Sequence, residues 1–197
     1  MRLFVAIELD YAARDAVAAE QRRLGQALGH DDRKALKWVN PVQVHLTLAF
    51  LGQVADPHSE LITQAMCRPL PTSCFDITFG GLGVFPHHGA PRVLWVGVTR
   101  GLKELIAVQR LVVERLQGLD VTLEDRSFHP HLTLARWRSS RSSDGLRAQA
   151  AAPAGNVAGM RVEAVALFES RLSSTGAAHI PLCLARLGEQ AVPPLQS

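Results

Sequence analysis

Strand-like and helix-like hydrophobic patterns alternate along this chain. Residues 3–9 form a short apolar run rich in β-branched and aromatic side chains, which reads as a buried strand. Asp10 is placed to cap a helix over 11–28, and Gly29 ends it before a charged loop to Lys37. Trp38-Val39 leads through Asn40-Pro41 into a strand over 43–51, closed by Gly52. A second helix is predicted over 57–68, since Pro69 and Pro71 cannot continue it. Cys74–Phe79 reads as a strand, Gly80-Gly81 and Gly83 as a flexible turn, and Arg92–Val98 as an apolar strand holding Trp95. From Gly101 to Leu116 the apolar residues fall on one broad helical face. Another strand is predicted over 128–137. The Ser-, Ala- and Gly-rich stretch 138–158 reads as a mobile loop with a short helix near 144–150. Val162–Leu167 and Ile180–Leu187 read as closing strands, and 188–197 as a frayed tail.

Two of these strands share five letters. His45-Leu46-Thr47-Leu48-Ala49 returns as His131-Leu132-Thr133-Leu134-Ala135. Alternate strand side chains share a face. Each copy therefore presents a histidine and a threonine on one face and two leucines on the other. The element order places one copy in each half of the chain. The pattern predicts one α+β domain over 1–197 that is bilobal and duplicated, with two antiparallel sheets lining a central cleft and helices outside. Arg136 and Phe50 each lie five residues beyond their histidine. In a regular strand that spacing aims them at the opposite face, and they reach the histidine face only if the strand bulges or ends first.

Composition narrows the setting. The chain has 197 residues, 47% hydrophobic and 20% charged, which is enough apolar material for a real core. Net charge is +3 and the pI about 9.1, compatible with a polyanionic partner. Cys67, Cys74 and Cys183 are odd in number and fit no disulfide or paired-cysteine zinc spacing, which favours a reducing compartment. The N-terminus meets Glu8 too early for a signal-peptide core, and no apolar run approaches a membrane span. A cytoplasmic protein is expected.

Histidine exchanges protons near neutral pH, so one imidazole can take a proton while a second gives one. Two histidines on opposite sides of a phosphorus atom suit in-line displacement. Threonine hydroxyls can donate to the non-bridging oxygens, and an arginine such as Arg136 can meet the phosphate charge. His129-x-His131 and His87-His88 have metal-like spacing, but no carboxylate or cysteine obviously converges on the first pair and the second reads as a solvated turn, so no metal is expected. Trp38 and Trp95 read as core or cleft-wall residues, and Phe50, taken alone, as core. Arg138, Arg141 and Arg147 form either an RNA-tracking segment or a solvated loop.

The stretches Val44–Gly52 and Phe128–Arg136 resemble the two motifs of the two-histidine phosphoesterases. More narrowly, they resemble the bacterial and archaeal RNA 2',3'-cyclic phosphodiesterases, the 2'-5' RNA ligase or LigT-like proteins. Phe4-Val5-Ala6-Ile7, Trp38-Val39, Gly83-Val84-Phe85-Pro86, Pro91–Val98 and Phe168–Leu172 with Gly176 fit the same family. The resemblance implies a bilobal fold with a pseudo-two-fold axis. It implies metal-independent hydrolysis of an RNA 2',3'-cyclic phosphate end, or a cyclic nucleotide, to the 2'-phosphate; a monomer with no cofactor and no membrane partner is expected. By carry-over His45 is the proton donor and His131 the base, while Thr47, Thr133, Arg136 and Phe50 bind substrate. The residues themselves leave the acid and base order open. The chain departs at Gly176-Ala177-Ala178-His179, where family members often carry an aromatic. The rival readings are a non-catalytic RNA-end or nucleotide-binding module, and 2'-5' RNA ligation at the same site.

Overall fold

The protein, as a computed structural model, is described over residues 1–29, 34–119, 121, 123, 127–153, 155–173 and 176–188. The expected frayed tail therefore lies outside the described residues from 189 onward, as do residues 30–33 of the expected charged loop.

The chain starts with β1 (Arg2–Glu8), whose interior is buried throughout, as its apolar run requires. Helix α1 (Tyr11–Ala27) begins where the Asp10 carboxylate accepts the Ala13 N–H at 2.7 Å. β2 (Leu36–Trp38) and a 3-10 turn (Pro41–Gln43) lead into β3 (His45–Gln53), the first repeat strand. Helix α2 (Asp56–Met66) carries proline in its first turn and stops ahead of Pro69. β4 (Phe75–Phe85), β5 (Val93–Arg100), α3 (Leu102–Leu116) and β6 (His131–Trp137), the second repeat strand, follow. Helix α4 (Ser142–Ala150), β7 (Asn156–Val162), β8 (Ala164–Ser173) and β9 (Gly176–Arg186) complete the described fold.

Three expectations are corrected. The glycines after Phe79 do not make a turn, because β4 runs through them to Phe85. Gly81 takes the left-handed φ of +69° where the pairing with β5 shifts register, so it forms a bulge within the strand. Gly83 is glycine for another reason: a Cβ there would lie 2.2 Å from the Trp95 ring. The short helix expected near 144–150 is present, but the end of the 138–158 stretch is strand rather than loop. The stretch holds α4, where the Asp144 carboxylate accepts the Arg141 N–H and pairs with Arg147, and then the start of β7. The closing strand expected at 162–167 spans a break at Glu163, with β7 before it and the longer β8 after.

Among the described residues the strands form one antiparallel sheet of nine, in the order β7-β4-β5-β6-β3-β1-β8-β9, with β2 also on β6. Two sheets were expected. Four strands, β7-β4-β5-β6, and four more, β3-β1-β8-β9, are instead joined edge to edge by a single registered pair, Leu46 with Leu132. Both leucines are fully buried in the main core, with Leu3, Val5 and Ile7 of β1, Val17 and Leu24 of α1, Ile62 and Met66 of α2, and Leu105, Val108 and Leu116 of α3. Phe4 and Ala6 point the other way from β1. With Ala166 and Phe168 of β8 they make a small second cluster on the opposite face. No described helix is long and apolar enough to cross a membrane.

Gly83→Val forces a side chain into the Trp95 ring. It should lower unfolding stability by about 1–3 kcal/mol and shift the tryptophan fluorescence in the native state. Denaturant melts indistinguishable from wild type would contradict this packing.

Candidate active site

The two repeat strands meet at the seam between the halves. In an antiparallel ladder, residues that flank a registered pair lie across from one another. The Leu46–Leu132 pair therefore sets His45 across from Thr133 and Thr47 across from His131, all on the face away from the leucines. All four are half-buried. A proton on His131 opposes one on His45 across this seam.

Each repeat strand then does the same unusual thing. Against β1, Thr47 is paired with Ala6 and Ala49 with Val5, which leaves Leu48 as an extra residue. Against β5, Thr133 is paired with Trp95 and Ala135 with Leu94, which leaves Leu134 extra. The same letter of the repeat bulges in both copies. An extra residue inverts the alternation of faces. Leu134 and Ala135 are both buried in succession, and Arg136 emerges exposed on the histidine side. Its positive charge is felt at both His45 and His131. Phe50 is brought round in the same way. It lies 6.2 Å from Phe4, itself 4.9 Å from His45, and is exposed at 45%. Phe50 is therefore a rim residue, and its reading as core is corrected: the bulge removes it from the buried side.

Both imidazoles are held by the same hydrogen bond. His45 Nδ1 lies 2.7 Å from the Gln43 carbonyl, and His131 Nδ1 lies 2.7 Å from the His129 carbonyl. A carbonyl only accepts, so each Nδ1 carries the hydrogen and each neutral ring keeps its lone pair on Nε2. Burial pushes the His45 pKa down to about 4, helped by charge on His179, His131 and Arg136 and resisted by the Gln43 carbonyl. Burial also lowers the His131 pKa, with charge on His129 and Arg136 adding to the effect and the His129 carbonyl opposing it. Both rings are accordingly neutral near pH 7.

Each histidine has an aromatic wall. Beside His45 stand Phe4, and His179 edge-on at 4.9 Å. His179 belongs to the stretch where the chain departs from the aromatic that family members often carry, and its ring also meets Phe4 edge-on. Only its place after Gly176 hinted at this. Beside His131 stand Phe85 at 5.1 Å and Trp95 at 6.0 Å. The Trp95 indole N–H is buried and has no acceptor among the described residues, next to Thr133 across the ladder. Trp95 is thus a wall residue, as one of its two readings held. His87 and His129 lie against Phe85 and Trp95, 6.1 Å from each other. The described residues contain no group of three or more His, Cys, Asp or Glu placed to hold a metal ion. Arg147 is paired with Asp144.

A hydroxyl–imidazole pair on each side of a seam, with a guanidinium at its edge, has the chemistry to hold an anion between two groups able to transfer protons. Residues 12–173 match the family model of the 2'-5' RNA ligase superfamily, and the chain belongs to that family of two-histidine phosphoesterases. It is 35% identical to the RNA 2',3'-cyclic phosphodiesterase of Archaeoglobus fulgidus over 136 residues, which cover 69% of this chain and 72% of that protein. It is 31% identical to the enzyme of the same name from Methanothermobacter thermautotrophicus over 190 residues, 95% of this chain and 99% of the other. Among solved structures, Escherichia coli LigT in its apo form superposes with a TM-score of 0.74 at 23% identity, covering 96% of this chain and 98% of LigT.

The buried His45 carries a pH signature. The folded ring stays neutral down to about 4, while the unfolded ring takes a proton near 6.5. As pH falls through that window the unfolded state binds the extra proton, so stability drops, by ~3 kcal/mol for this residue. His45→Asn should lose correspondingly less between pH 6.5 and 4 in denaturant melts. Parallel pH curves for the two proteins would contradict the burial of a neutral imidazole.

Proposed function

We propose that this protein is an RNA 2',3'-cyclic phosphodiesterase that opens the cyclic phosphate to a 2'-phosphate with His45 and His131 as its acid and base. One observation supports this reading above the others. Two imidazoles, anchored identically through Nδ1, present their free Nε2 atoms from opposite strands of one seam.

Water attacks phosphorus on one side while the bond to the ribose 3'-oxygen breaks on the other. His131 Nε2 takes the proton from water, and His45 Nε2–H gives one to the departing oxygen. The proton gained by His131 returns to solvent and His45 is recharged, so turnover consumes only water. Thr47 and Thr133 donate to the non-bridging oxygens, and Arg136 faces the phosphate charge. Phe50 sits at the rim, where it can cover the nucleoside. The steps call on no metal or other cofactor.

His45 must be protonated to act as the acid, yet burial brings its pKa down to about 4. The substrate's own charge supplies the correction. A unit charge ~4 Å away is worth about 4 kcal/mol at an effective dielectric of 20, enough to offset a depression of ~3 kcal/mol. Substrate binding therefore loads the acid. A hydroxyl of a second RNA end in place of water would give 2'-5' ligation at the same groups, and bulk water favours hydrolysis. The two four-strand halves, each with one copy of the bulged repeat, are read as duplicated lobes of one cytoplasmic, monomeric domain.

On an oligonucleotide ending in a 2',3'-cyclic phosphate, His45→Ala and His131→Ala should each lower kcat by about 10²–10⁴-fold. Thr47→Ala or Thr133→Ala should lower kcat/KM by ~10²-fold. The wild type should keep its rate in excess chelator and release a 2'-phosphate. Loss of activity with chelator, a histidine variant at full rate, or binding without product would overturn the assignment.

A further inference from the structure

At the bulge the buried Leu134 carbonyl turns towards the segment just after β2, and a buried carbonyl needs a donor. It has two. The Leu134 oxygen accepts the Val39 N–H at 2.9 Å and the Gln21 side-chain amide at 2.9 Å. The same Gln21 Nε2 donates its other hydrogen to the Val39 carbonyl at 2.8 Å. Both hydrogens of one amide thus tie α1 to the backbone of two adjoining segments at the point where β6 changes face.

Gln21 is an odd residue for its place. It is 7% exposed, on the same buried stripe of α1 as Ala13, Val17 and Leu24. A leucine would satisfy the hydrophobic pattern there, and burying an amide is unfavourable unless its hydrogen bonds are made. The structure shows what those bonds hold. Two residues beyond Leu134 stands Arg136, which reaches the histidine face only because of the bulge.

We propose that Gln21 is a positioning residue, whose amide fixes the Leu134 bulge and thereby holds the Arg136 guanidinium on the histidine side of the sheet. The catalytic part of this rests on the reading of Arg136 as a phosphate contact, whereas the geometric part does not. Gln21 itself lies in the helix-facing layer and touches no substrate.

The test compares wild type, Gln21→Leu, Arg136→Ala and the double variant, with Gln21→Met as a second probe should the branched leucine fail to fold. Misplacing the guanidinium should cost about 10²-fold in kcat/KM on the cyclic-phosphate oligonucleotide, and adding Gln21→Leu to Arg136→Ala should cost less than about twofold more. An NMR titration of the His131 ring gives a readout free of catalysis. Arg136→Ala should raise its midpoint, and Gln21→Leu should raise it by a similar amount because the cation has moved away. Equal losses from Gln21→Leu in both Arg136 backgrounds would mark a general structural defect and overturn the proposal. So would a His131 midpoint unchanged in Gln21→Leu, or unchanged in Arg136→Ala. An Arg136→Ala enzyme with full activity but a raised midpoint would overturn the phosphate role of Arg136, and the titration of Gln21→Leu would then decide the positioning role alone.

Discussion

The arrangement depends on one constraint: β3 and β6 touch through a single buried leucine pair. Leu46 and Leu132 bring two four-strand halves into one sheet. Their burial fixes which face each repeat strand turns to the core, because a slip of one residue would exchange the leucines for the histidines and expose the wrong set. With the leucines held inside, His45, Thr47, His131 and Thr133 have only the other face to occupy. The seam is also where sheet hydrogen bonding is thinnest, so a polyatomic anion can be met by side chains from both halves without breaking a ladder.

The electrostatics follow from the same packing. Half-burial against Phe4, Phe168, Phe85 and Trp95 removes water from the imidazoles, and Arg136 adds a positive charge beside them. Both effects disfavour imidazolium, and His45 feels the strongest push. The positive charge at the site is then carried by Arg136 rather than by the imidazoles. In the proposed reaction a phosphate is drawn by Arg136 and the hydroxyl dipoles, and its charge makes one imidazole an acid. The matched carbonyl contacts at Nδ1 leave both rings competent for either role, so the asymmetry between them comes from their surroundings. His179 lies near one ring and His129 near the other.

Much of this was legible in the residues. The duplicated His-Leu-Thr-Leu-Ala states its own faces through strand alternation, and the apolar runs placed β1, α1 and α3 within a residue or two. What alternation cannot convey is where a strand takes an extra residue. The parity conflict at Arg136 and Phe50 was visible as a conflict, and only the register with β1 and β5 resolves it through Leu48 and Leu134. Glycine was misleading in β4, where Gly83 serves the Trp95 ring rather than a turn. The joining of two expected sheets into one, the approach of His179 to His45 and the reach of Gln21 to Leu134 are long-range contacts that leave no local pattern.

The most direct test of the central claim is a crystal structure of the wild-type protein with a nucleoside 2'-phosphate bound. The account predicts one phosphate at the seam with the Nε2 atoms of His45 and His131 both within ~3 Å of its oxygens on opposite sides, and the Nδ1 atoms still on the Gln43 and His129 carbonyls. A phosphate held by one histidine alone, or a ring turned so that Nδ1 faces it, would contradict the account.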